Sequence, residues 1–245
     1  LRRLVGAMAG AAETEGASTR PRVFVPEELA VHNSRDNCWV AVNHKVIDVT
    51  PVIASLPAEH AALADPLLDN AGTDISHWFD EETGEVRTRI DPATLQRVPY
   101  LPMGRFPHLS IDGKPLSNGP EPPEVPWWRD DSLVRGVMTR KMMRAWIVNV
   151  LTEQRHRLVF GAEETLEQVR DRFLEYNSHA KSYTWKVLVP NEDGSGSSFK
   201  PLDMAKSLED NGVEDNQDEA WELGLDADDY LPVIHLSFND DLTEG

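Results

Sequence analysis

The chain is poor in cysteine: Cys38 is alone among 245 residues. That rules out an internal disulfide and suits a reducing compartment. It also lacks any apolar run near the roughly 20 residues that a membrane helix needs, so no spanning segment is expected. Its ending, FNDDLTEG, is not the hydrophobic tail of a tail-anchored protein. Basic residues are scarce, with 24 Lys and Arg against 42 Asp and Glu, for a formal net charge of −18. Nucleic acid is therefore not an expected partner, because counterion release at a phosphate backbone needs clustered cations. An acidic surface favours basic protein partners and speeds their encounter, or serves solubility alone. Much of the acidic excess lies between Glu209 and Asp229, which reads as a solvated loop. A glycine-rich phosphate loop, zinc-ligand spacing and a nucleophile elbow are also missing. His108, His156, His179 and His235 are scattered rather than set at ligand spacing. No small-molecule substrate is evident, and an enzyme acting alone is not expected.

What is present suffices for two modest domains with cores of their own. Residues 1–21 read as a flexible arm, because their two early arginines soon give way to acidic and polar residues, unlike a transit peptide. Residues 22–98 form the first expected domain. Pro26-Glu27-Glu28 opens a helix with proline where the missing N–H does no harm. Trp39 to Val42 and Val46 to Val49 read as strands around an Asn43-His44-Lys45 turn. His60 to Asn70 reads as a helix stopped by Gly72, and Asp74 to Phe79 as a second short one. Residues 99–138 read as a linker, since dense proline and glycine over 99–131 favour extended chain. Trp127-Trp128 is out of place in a free linker and is expected to pack on a neighbouring domain or a partner.

Residues 139–241 form the second expected domain. Arg144 to Leu151 and Arg155 to Phe160 read as a hairpin. A helix follows with Thr165, Leu166, Val169, Phe173 and Leu174 as its apolar stripe and Glu163-Glu164 at its N-terminus. Tyr183 to Val189 is a third strand, Pro201 to Val213 a one-turn helix with a glycine turn, and Val233 to Phe238 an alternating closing strand. This element order is that of a ubiquitin-like β-grasp. Residues 242–245 are a tail without the Gly-Gly end that conjugation requires.

The first domain resembles the cytochrome b5 family. The likeness lies in the opening helix, His32-Asn33, an acidic turn, Cys38-Trp39-Val40-Ala41, Lys45 to Thr50, and Ala71-Gly72-Thr73-Asp74. Counting back from that last motif without a gap puts His60 where the family's His-Pro-Gly-Gly begins, with Ala61-Ala62-Leu63 replacing Pro-Gly-Gly. The resemblance implies an α+β fold, a cytochrome b5-like domain followed by the ubiquitin-like one. It also implies haem b clamped by two axial histidines in a closed site suited to electron transfer. The second histidine is due about two dozen residues after the first, which lands near Gly84, and the nearest substitute is His77. His77 and His60 are thus the candidate iron ligands. Each has a plainer reading as well, His60 as a capping or surface residue and His77 as a hydrogen-bonded core residue. His32 reads as support for the first turn and His44 as solvated.

After the arm, nearly the whole chain resembles the family of cytochrome b5 domain-containing proteins of the cilium. The likeness is carried by Ala71 to Asp80, Pro126-Trp127-Trp128, Tyr176 to Lys186 and Phe238 to Glu244. It implies an axonemal protein with radial spoke proteins as partners, binding haem in a redox-dependent way and tuning ciliary beating. The alternative is a non-haem adaptor of the axoneme whose haem pocket is vestigial.

Overall fold

The structure is a computed structural model that describes residues 20–111, 114–115, 118–191 and 194–238. In chain order the first unit contains β1 (Val23–Phe24), α1 (Pro26–Ala30), β2 (Asn33–Ser34), β3 (Asn37–Val42), β4 (Lys45–Asp48) and α2 (Thr50–Ala54). A 3-10 helix (Ala58–Ala64), α3 (Asp65–Asp69) and a 3-10 turn (Ser76–Trp78) follow. Two small hairpins, β5 (Thr88–Ile90) with β6 (Arg97–Pro99) and β7 (Ser110–Ile111) with β8 (Lys114–Pro115), lead to β9 (Val134–Met138).

The β3–β4 hairpin forms because Asn43 and His44 both take the left-handed conformation, at φ 46° and 67°, which matches the twist of the paired strands. The single helix expected from His60 to Asn70 is instead split in two. Pro66 cannot donate a helical hydrogen bond, and its ring would crowd the carbonyl four residues earlier, so the chain restarts there as α3. Gly72 then turns at φ 77°, where a Cβ would lie 3.0 Å from Ala30 Cα. Only glycine fits that approach. From there the chain runs beside β3, with Gly72 N donating to Trp39 O, Ala41 N to Thr73 O and Ile75 N to Ala41 O.

The stretch expected to be a linker is built into this first unit. Strand β9 sits inside its sheet, in the order β1-β9-β4-β3-β2, parallel to β1 and antiparallel to β4. Phe106, Leu109, Trp127 and Trp128 are buried in the same core as Val40, Ile53, Leu67, Trp78 and Phe79. Proline and glycine density favours irregular backbone but does not stop large aromatics from burying their area.

The second unit is a five-stranded sheet of β10 (Met142–Asn149), β11 (Arg155–Gly161), β12 (Tyr183–Pro190), β13 (Ser197–Pro201) and β14 (Val233–Phe238). Its order is β11-β10-β14-β12-β13, with β10 and β14 parallel at the centre. Helix α4 (Leu166–Phe173) buries Leu166, Val169 and Phe173 against Ile147, Trp185 and Leu236. Thr165 and Gln168 cap its N-terminus reciprocally. Helix α5 (Gln217–Glu222) and a 3-10 turn (Ala227–Tyr230) lie in the acidic segment that read as a loop. Arg172 joins the two units, with Nη1 2.6 Å from Glu28 Oε1 and Nη2 donating to Val23 O at 2.7 Å.

Candidate functional site

The Gly72 turn and its bonds to β3 fix how the following residues face. Ile75, Trp78 and Phe79 turn into the core, which leaves His77 exposed on the outside of the 3-10 turn. Ser76 Oγ accepts from Asn43 N at 2.8 Å and so pins that turn to the β3–β4 hairpin. The ring contact of His77 is edge-on to Trp78 at 6.1 Å. The plainer reading of His77 as a core residue is therefore corrected, because the adjacent Trp78 and Phe79 take the interior positions.

His60 lies elsewhere. It sits in the 3-10 helix, with its backbone N–H donating to Pro57 O and its side chain 23% exposed. Its Nε2 is 3.8 Å from Glu59 Oε1. It opens on a cavity of about 90 Å³ shared with Leu63, Arg105, Phe106, His108 and Leu109. His77 does not line that cavity. The two candidate ligands are thus not brought to one site.

Phe106 has contacts in both neighbourhoods. It lines the cavity of His60 and stacks on Trp78, the neighbour of His77, at 5.4 Å between centroids. Trp127 and Trp128 complete the cluster, with Phe79 meeting Trp127 at 5.9 Å and 89° and Trp128 at 5.8 Å. Aromatic groups in these edge and tilted arrangements gain beyond their buried area. The cluster is not fully satisfied. The indole Nε1 atoms of Trp127 and Trp128 are both buried with no hydrogen-bond acceptor among the described residues. Each such donor costs on the order of 1–3 kcal/mol.

His108, one of the histidines that lie scattered along the sequence, positions this cluster. It takes a left-handed backbone at φ 67°, and its Nδ1 accepts from Trp127 N at 3.1 Å. Burial holds its pKa below the ordinary value, against a smaller upward pull from Asp130. With Nδ1 accepting, the proton of the neutral ring sits on Nε2, so His108 presents a donor to the cavity and no lone pair for a metal. Arg129 ties the same segment to the Asp80–Gly84 turn, donating to Thr83 O at 3.2 Å and pairing with Glu85.

His32 stacks on Trp39 at 3.6 Å, with Nδ1 2.8 Å from Asn37 Oδ1, and so supports the first turn as expected. Among the described residues no group of three or more His, Cys, Asp or Glu side chains could hold a metal ion. No helix among them is long and apolar enough to cross a membrane.

These residues do not fit haem as arranged. A ligand the size of a porphyrin needs several hundred cubic ångströms, as most small-molecule sites do. The cavity at His60 offers about 90 Å³, and Phe106 in its wall packs on Trp78.

Comparison with known proteins places the chain. Residues 25–89 match the "Cytochrome b5-like Heme/Steroid binding domain" family. The chain is 41% identical over 225 residues to "Cytochrome b5 domain-containing protein 1" of Xenopus laevis, covering 92% of this chain and 98% of that one. It is 39% identical to the Homo sapiens protein of the same name, covering 91% and 92%. The solved structure of Ectothiorhodospira vacuolata cytochrome b558, described as a prokaryotic homologue of cytochrome b5, is 30% identical, with 31% of this chain and 89% of that one covered and a TM-score of 0.21. With two full-length relatives near 40% identity, the chain belongs to the cytochrome b5 domain-containing protein 1 family.

Proposed function

We propose that this protein is a component of the radial spoke in the ciliary axoneme, where it helps coordinate beating, and that its cytochrome b5-like unit takes up haem in a redox-dependent way. The observation that carries the reading is the full-length family match combined with a cytochrome b5-like unit docked on a second folded unit. We read that second unit as a ubiquitin-like β-grasp. A hairpin, a helix and a last strand parallel to the first at the sheet centre support this. Its outer sheet face and edge strands offer docking surface for spoke proteins.

Binding, rather than turnover, is the output this reading assigns. The Arg172 bridge holds the two units together, so a change in the first unit is felt at the surface of the second. Haem on this account modulates the attachment and does not create it. A second reading, a non-haem adaptor, draws on the small cavity at His60, whose wall residue Phe106 packs on Trp78.

The test is assembly in ciliated cells that lack the endogenous protein. The full chain should co-purify with isolated radial spokes and restore coordinated beating. A chain lacking residues 139–245 should fail to incorporate. Recovery of the full chain only in the soluble fraction, with beating unchanged, would contradict the proposal.

A further inference from the structure

We infer that the outer sheet face of the second unit, over β12, β13 and β14, docks an acidic protein segment that carries a large apolar side chain. The inference deepens the docking reading above by naming the face and the chemistry of its partner, and it is independent of haem.

Charge carries the first step. The chain has a net charge of −18, yet strands β10 to β14 contain no Asp or Glu. They contain Arg144, Arg155, Arg157, Lys186 and Lys200 instead. Side chains alternate across a strand, so Arg144, Arg155, Arg157 and Lys186 lie on the face opposite the core residues Ala145, Leu158 and Val187. Of these four, Arg157 alone has an ion pair among the described residues.

The second step is what the face already holds. The 3-10 turn at Ala227–Tyr230, from the acidic segment, lies against β10 and β11. Asp228 Oδ2 accepts from Arg157 Nη1 at 2.6 Å, and Asp228 O accepts from Trp146 Nε1 at 3.4 Å. Arg155 sits over the same Trp146 ring at 5.8 Å. An acidic stretch of this chain is thus held by a guanidinium beside an aromatic ring, a charge-assisted contact of the strong kind.

The β12–β14 side offers matching groups uncovered. Arg155 lies opposite Val148, Val148 beside His235, and His235 opposite Lys186, which makes one row across four strands. Next to it Leu188 lies opposite Phe199, and Phe199 meets His235 edge-on at 4.9 Å. Leu188 is 49% exposed and Phe199 51%. Adjacent exposed apolar groups with cations beside them suit a partner that brings carboxylates around an apolar anchor. A nucleic acid fits less well, because the chain as a whole repels polyanions and these cations alternate with apolar groups.

The experiment is fluorescence anisotropy of the full chain with a labelled synthetic peptide in which glutamates flank a Leu-Phe pair, and with its glutamine counterpart. The wild type should bind the glutamate peptide, more weakly as salt is raised, and should bind the glutamine peptide about tenfold less tightly. Arg155→Glu combined with Lys186→Glu should weaken binding about tenfold or more, and Phe199→Ser about fivefold. Arg89→Glu combined with Arg97→Glu makes the same change of net charge on the exposed β5–β6 hairpin and should alter binding by less than about twofold. Equal weakening by the hairpin pair, or no weakening by the sheet variants, would overturn the inference. So would tighter binding of poly(U) RNA than of the peptide, or a wild-type dimer in sedimentation that Phe199→Ser abolishes while no peptide binds, which would give the face to a second copy. If neither peptide binds but the full chain still co-purifies with radial spokes, the inference falls and the docking reading stands.

Discussion

Phe106 stacks on Trp78 with 5.4 Å between ring centroids and 30° between planes. A residue from the proline- and glycine-rich stretch thereby completes the core of a cytochrome b5-like unit. Truncating it should leave a cavity that its four aromatic neighbours, Trp78, Phe79, Trp127 and Trp128, cannot close. Phe106→Ala is expected to destabilise the first unit by about 3–5 kcal/mol. Trp127→Ala should fall at the lower end of that range, because it also removes an unpaired buried N–H. Urea unfolding followed by tryptophan fluorescence measures both, and a loss below about 1 kcal/mol would mean the segment is only lightly docked.

Acidification should loosen the same segment. The pKa of His108 is held below its ordinary value of 6.5 by burial. A group of this kind binds its proton more readily unfolded than folded, so stability is full above pH 6.5 and falls as pH drops through the folded value. His235 is shifted the same way, by burial and by Arg155. Protonating His108 also removes the acceptor that Trp127 N uses. Unfolding midpoints measured from pH 7.5 to 5.5 should decline in the wild type and decline less in His108→Asn.

Arg172 bridges the two units at their junction. Glu164 is only 2% exposed at its side chain and is bonded by Arg172 Nε at 2.7 Å. Burial raises its pKa despite that partner, so it favours folding at low pH and loses that contribution as pH rises. Glu28 is the opposite case. Burial pushes it up, but Arg172 and the Val25 N–H outweigh this, so its contribution is present above pH 4.5 and lost as pH falls below it. Arg172→Met should cost about 3–5 kcal/mol at pH 7 by leaving a buried carboxylate unpaired. Adding Glu164→Gln should recover part of that loss in the same thermal or urea measurement. No recovery would show that the bridge to Glu28 and Val23 O dominates.

At Gly72 the backbone sets the outcome. Gly72→Ala combines a left-handed φ of 77° with a Cβ 3.0 Å from Ala30 Cα, so it should destabilise by more than about 1 kcal/mol. Gly84, at φ 68° with open space around its Cβ position, should cost less on the same change. Comparing the two melting temperatures separates the close approach from the conformational cost.

Much of the fold was legible because local signals agreed with the tertiary structure. Apolar runs on either side of a short turn marked the β3–β4 and β10–β11 hairpins, alternation marked the closing strand Val233 to Phe238, and Gly72 marked the end of the preceding helical stretch. Strand β13 was missed because Ser197 to Pro201 is exposed throughout and shows no burial pattern to read. The helix expected over His60 to Asn70 breaks at Pro66, which lacks the N–H that a continuous helix needs. The site was harder. Spacing put His60 and His77 within reach of one another, but it cannot show that Trp78 and Phe79 would take the interior and turn His77 outward. Nor can it show which distant aromatics fill a pocket, since Phe106 and Trp127 meet Trp78 and Phe79 only through the fold.

Haem uptake is read from the absorption spectrum of the purified full chain with one equivalent of hemin, recorded under oxidising and then reducing conditions. Haem uptake predicts a red-shifted Soret band that saturates at one haem per chain and differs in occupancy between the two conditions. A spectrum indistinguishable from free hemin in both conditions would contradict it and leave the non-haem adaptor.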